Sequence, residues 1–128
     1  MPQDCCGIQV NSREDALKKS QKNMNDLLSE QEDLNKRLRR LQRDLDQNKT
    51  DQVKAAADLQ SSINANDDSK QKNQKRLSKL IDEQGSLEKK VRKTHAELDD
   101  NKTDQQRQQT AMAQQQQGLD AVKQKQNQ

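Results

Sequence analysis

The chain has 128 residues, of which 27% are hydrophobic and none is Phe, Tyr or Trp. Aromatic side chains supply the largest buried areas of compact cores, so this composition excludes a multilayered globule and, with nothing to wall a pocket from water, argues against an enzyme. Its 24 basic and 21 acidic residues nearly cancel to +3, which leaves either an extended helical assembly with a narrow apolar seam or a disordered chain that folds on binding.

No apolar run approaches the ~20 residues of a membrane span, and no hydrophobic signal core is present. A cytoplasmic location is therefore expected, with Cys5 and Cys6 as free thiols in a reducing compartment. Residues 1–11, with Pro2 and Gly7, read as a flexible head. Asn11 or Ser12 then offers an N-cap, and residues 12–62 read as the first coiled-coil helix. Apolar residues recur there every 3.5 positions. Leu17, Met24, Gln31, Leu38, Leu45, Gln52 and Leu59 fall at heptad position a, with Leu27, Leu34, Leu41, Asn48 and Ala55 at d. Residues 63–75 are polar and read as a hinge or loop, with Asp68 able to cap a following helix. Continuous pairing through this segment would place Ile63, Asn66, Lys70 and Asn73 in the seam. Residues 76–122 read as a second coiled-coil helix with Leu77, Gln84, Val91, Leu98, Gln105 and Met112 at a and Leu80, Leu87, Thr94, Asn101 and Gln108 at d. The pattern weakens from Gln105, and residues 123–128 read as a frayed tail. The expected fold is all-α, an extended coiled coil that is either one interrupted long helix or a two-helix antiparallel hairpin.

The two helices repeat one another. Lys22–Gln60 laid on Lys75–Ala113, an offset of 53, gives 14 identities in 39 positions, and LDQNKTDQ (45–52) returns as LDDNKTDQ (98–105) in the same seam register. In each copy Leu stands at a, Asn at the next d and Gln at the following a, and a further pair, Gln31 and Gln84, also superposes. Seam amides cost stability but leave misaligned pairings unsatisfied. Gln31, Asn48, Gln52, Gln84, Asn101 and Gln105 are therefore the expected register residues. Like-with-like pairing in a parallel oligomer, or two equivalent docking sites for one partner, would explain two copies. The expected affinity seam is Leu27, Leu34, Leu38, Leu41, Leu45, Leu59, Leu80, Leu87, Val91 and Leu98.

Other constellations point to no chemistry. His95 is the single histidine and stands beside the seam at e without a neighbouring ligand set. The basic run Lys36–Arg43 carries its leucines in the seam and its cations on the flanks. With no aromatic residue to stack on bases, that arrangement argues against nucleic acid. No cofactor or small-molecule substrate is expected. The expected partners are protein helices, from copies of the chain or from another coiled coil. Two acyl chains on Cys5 and Cys6 would hold a soluble helix on a membrane.

Glu30–Asp51, with its seam leucines and Asp46-Gln47-Asn48-Lys49-Thr50, resembles a SNARE motif of the two-motif, synaptosome-associated type. Asp82-Glu83-Gln84-Gly85-Ser86-Leu87 is similar to the central glutamine layer of that family, and Cys5-Cys6-Gly7 to its acylated cysteines. The resemblance implies a helix contributor to a parallel four-helix bundle in membrane fusion. Two parallel ~50-residue helices need a return of about 75 Å, whereas residues 63–75 fully extended reach about 45 Å. Both halves of one chain therefore cannot lie parallel over their full lengths. The function expected from periodicity alone is a non-enzymatic coiled-coil scaffold or assembly element.

Overall fold

The computed structural model describes residues 2–64 and 66–127, with side chains from 10 to 64 and from 66 to 125. Two helices, α1 (Pro2–Ser61) and α2 (Asp67–Asn127), pack against each other as an antiparallel hairpin. Of the two expected architectures, the chain adopts the hairpin. No helix among the described residues is long and apolar enough to cross a membrane.

The turn is tighter than its polar sequence suggests. At the end of α1 the Ser62 N–H donates to the carbonyls of both Asp58 (3.0 Å) and Leu59 (3.1 Å), and its hydroxyl donates to Leu59 (2.9 Å). This shared bonding tightens the last turn and occupies carbonyls that a helix end leaves open. The second helix starts at Asp67 because Asn66 caps it. The Asn66 side-chain oxygen accepts from the Ser69 N–H at 3.0 Å, and its carbonyl accepts from Lys70 at 3.3 Å. Asn66, rather than Asp68, is thus the cap. Asp67 and Asp68 instead place negative charge on the first turn, where the helix dipole favours it.

Several boundaries therefore move. Residues 67–75, read as hinge or loop, are helical, and the connection shrinks to the residues between Ser61 and Asp67. Helix also continues through 1–11 from Pro2, a residue suited to a first turn because its fixed φ is helical and its missing N–H would be unpaired there anyway. Asn11 and Ser12 lie inside α1 rather than capping it. At the other end α2 runs to Asn127, past the expected fraying point.

Burial follows the heptad along both helices. In α1 a row of shielded residues steps by three and four from Leu17 to Ser62, and in α2 from Lys70 to Val122, with half-buried flanking residues beside it at Asn35, Asp51, Glu88, Glu97, Ala111 and Gly118. That stripe is the narrow seam of a two-stranded coiled coil. Lys70 and Asn73 do enter it, half-buried, but Ile63 does not: it is 51% exposed in the turn. The seam can hold Asn73 beside the turn because its amide donates to the Asp58 carbonyl at 3.3 Å.

The chain divides into two units, each made from both helices. The loop unit is Leu34–Glu97, and the end unit is Met1–Asp33 with Leu98–Gln128. In the loop unit, register places Leu41 opposite Leu87, Leu45 opposite Val91 and Leu59 opposite Leu77. In the end unit it places Leu17 opposite Leu119, Met24 opposite Met112 and Ser20 opposite Gln108.

Candidate helix-pairing site

Each unit contains one polar clasp across the seam, and the repeated octapeptides build both. In the loop unit Asn48, 2% exposed, donates from its side-chain nitrogen to the Leu80 carbonyl at 3.0 Å. A helical carbonyl keeps a second lone pair beyond its own helix bond, so this acceptor needs no break in α2. Gln52, one turn on, donates to Asn48 Oδ1 at 2.6 Å and to Gln84 Oε1 at 2.6 Å. The Gln84 amide in turn donates to Glu88 at 2.9 Å.

The end unit repeats the arrangement with the helices exchanged. Asn101, 1% exposed, donates to the Leu27 carbonyl at 2.9 Å. Gln105 donates to Asn101 Oδ1 at 2.6 Å and to Gln31 Oε1 at 2.9 Å. Subtracting 53 from each α2 residue of one clasp, and adding 53 to each α1 residue, gives the other. The outer face repeats too: Thr50 donates to the Asp46 carbonyl and Thr103 to the Asp99 carbonyl, both at 3.1 Å. Each octapeptide thus docks antiparallel on the other repeat, at Leu80 and Gln84 or at Leu27 and Gln31, rather than on its own copy as like with like in a parallel assembly.

These bonds make the seam directional. Sliding α2 by one heptad in either direction would set Gln31, Gln52, Gln84 and Gln105 against Leu, Met or Val side chains instead of each other, at about 1–3 kcal/mol for each stranded amide. The clasps are therefore costly anywhere but here, which is what specifies a register.

All ten expected affinity residues lie in the seam stripe. Leu34, Leu41, Leu87 and Leu98 are buried, while Leu27, Leu38, Leu45, Leu59, Leu80 and Val91 are half-buried. All six register residues belong to the clasps. Ala55, Leu119 and Val122 are equally buried although they were not among the expected affinity residues. The last two continue the a and d positions of α2 by one heptad past Met112 and Gln115, a signal obscured by the surrounding glutamines. Thr94 is buried at d with its hydroxyl donating to the Lys90 carbonyl at 2.8 Å, so its polar atom is satisfied within its own helix.

The remaining candidates stand apart. The Cys5 and Cys6 side chains lie outside the described residues. His95 is exposed, as are Arg39, Arg40 and Arg43, and Arg37 reaches across the edge to Glu97 at 3.2 Å. Among the described residues no His, Cys, Asp and Glu groups gather to hold a metal. The grooves beside the seam are open to solvent; one runs past Lys49, Gln52, Val53 and Ala56 of α1 and Leu77 and Gln84 of α2.

No family model, curated protein or solved structure matches the chain. The case for function therefore rests on the clasps and the seam.

Proposed function

We propose that the chain is a non-enzymatic coiled-coil scaffold or assembly element, acting by pairing helices in one register and one direction. The observation that carries this reading is the pair of equivalent clasps. Six amide side chains occupy seam sites where leucine would give more stability, which makes sense where accuracy of pairing matters more than strength. The rest of the seam is mostly Leu, with little else that could serve a substrate.

The fusion-related alternative implied by the SNARE resemblance would require the hairpin to open, since its bundle is parallel.

The test replaces the glutamines that face each other across the seam, Gln31→Leu and Gln105→Leu with Gln52→Leu and Gln84→Leu. Wild-type protein should give one mass by light scattering and one hydrogen-exchange pattern. The fourfold variant should remain helical and melt higher, yet populate mixed registers or oligomers, because leucine no longer distinguishes one alignment from its neighbours. An unchanged mass and exchange pattern would remove the register role, and with it this reading.

A further inference from the structure

The repeat has a consequence for assembly. Across the hairpin, d residues pair where their numbers sum to 128, and a residues where they sum to 136. The edge pair Arg37–Glu97 sums to 134, and Glu14–Lys123 to 137. Each α2 seam residue from Leu77 to Met112 has an α1 counterpart 53 positions earlier, alike in size or chemistry except where Thr94 lies over Leu41 and Gln108 over Ala55. Replacing α2 by the counterparts of its residues therefore describes α1 facing a second α1, antiparallel, at sums of 75 and 83.

Every layer of that pairing is filled sensibly. Asn48 of one copy stands opposite Leu27 of the other, and Gln52 opposite Gln31, so the loop-unit clasp re-forms; the reciprocal contact supplies a second. Between them Leu34 meets Leu41 and Leu38 meets Leu45, and outside them Met24 meets Leu59 and Ser20 meets Ala55. Arg37 stands opposite Asp44, which is the counterpart of its hairpin partner Glu97. Such a contact is isologous and closes on itself.

We propose that α1 carries a complete self-complementary seam, so that α1 of a second copy of this chain can take the place of α2, antiparallel, with both clasps re-formed. This names the partner in the assembly reading above and rests on it. In the intact chain α2 holds the advantage, because a short tether gives an effective concentration of order millimolar. The hairpin is accordingly the dilute form, and exchange between copies the crowded one.

The experiment disables α2 in the full chain with Leu80→Asp, Leu87→Asp, Val91→Asp and Leu98→Asp, in a Cys5→Ser, Cys6→Ser background. At micromolar concentration the mass by light scattering should double relative to the unaltered seam, with α1 still helical by circular dichroism. Orientation is read by single cysteines. The edge register places Gln42 opposite Gln42 of the second copy, so Gln42→Cys should oxidise to a cross-linked dimer. Met24→Cys faces Leu59 in the antiparallel pairing and should not cross-link, whereas a parallel pair would join it to itself.

A monomeric mass, or cross-linking through Met24→Cys as readily as through Gln42→Cys, would overturn the proposal. A reciprocal variant, with Leu34, Leu38, Leu41 and Leu45 changed to Asp, asks the same of α2, where Asn101 would face Leu80 and Gln105 would face Gln84. Monomers from both variants would sink self-complementarity while leaving the register reading intact, since that reading depends on the behaviour of the variant with Gln31, Gln52, Gln84 and Gln105 changed to Leu.

Discussion

The same clasp sits in two different settings. In the loop unit it is flanked by Leu41, Leu87, Ala55 and Leu59, and the chain itself closes one end through the Ser62 and Asn66 caps. In the end unit its neighbours include Ser20 opposite Gln108, and farther on Gln115, whose buried carbonyl oxygen has no hydrogen-bond partner. The same amide pairing with unequal apolar support separates two quantities that are easily confused. The clasp decides which residues face each other, while the leucines decide how firmly. The loop unit should therefore hold most of the stability, and the end unit should open first.

A buried leucine in each unit tests this most severely. Leu87→Ala should lower the unfolding free energy by about 2–4 kcal/mol, the usual cost of the lost contacts plus the cavity left behind. Leu119 is at least as well buried, so burial alone predicts the same loss for Leu119→Ala. If the end unit opens on its own, the global loss will be less than half as large, and the effect will appear as faster amide exchange confined to 10–33 and 98–125. Equal losses by denaturant titration would mean that the hairpin unfolds as one body.

How much of this was legible in the sequence follows the same division. Periodicity carried the seam from Met24 to Leu59 and from Leu77 to Met112, because a two-stranded coil buries little else and its stripe has to repeat in the chain. The repeat marked the clasp residues, since Asn and Gln at a and d positions stand out among leucines. What those amides bond to was hidden: the acceptors are the main-chain carbonyls of Leu27 and Leu80, and every residue has a carbonyl. Whether the chain folds back on itself was hidden too, because seam composition reads alike for a partner helix in the same chain and one in another. The turn reads wider in the sequence than it is because Lys70 and Asn73 are polar, although capping by Asn66 and the bond from Asn73 to Asp58 make them compatible with helix. Leu119 and Val122 are masked in the sequence because glutamines outnumber apolar residues around them.

Glycine offers a gentler contrast between the two settings. Gly85 lies in α2 of the loop unit with nothing within 4 Å of where a Cβ would stand. Gly85→Ala should therefore add close to the full helix-propensity gain of about 0.8–1 kcal/mol, read as a higher melting temperature. At Gly118, in the end unit, a Cβ would run into the Arg13 guanidinium. The Arg13 side chain has to swing aside, so Gly118→Ala should gain less than Gly85→Ala. A larger gain at Gly118 would mean that Arg13 does not rest there in solution.

The smallest effect belongs to the ion pairs along the edges, and it separates charge from register. Arg37 and Glu97 approach to 3.2 Å with their side chains 56% and 35% exposed. Pairs this wet contribute about 0.2–1 kcal/mol, as measured by double-mutant cycles. A cycle built from Arg37→Gln and Glu97→Gln should give a coupling in that range, and it should fade in 1 M salt, where the screening length falls to about 3 Å. The clasps are neutral apart from their link to Glu88, with both asparagines buried and the glutamines half-buried, so their contribution should survive the same salt. If high salt abolished the Arg37–Glu97 coupling and scrambled the hydrogen-exchange pattern with it, alignment would reside in the edge charges. The amides would then be passengers of the repeat rather than its purpose.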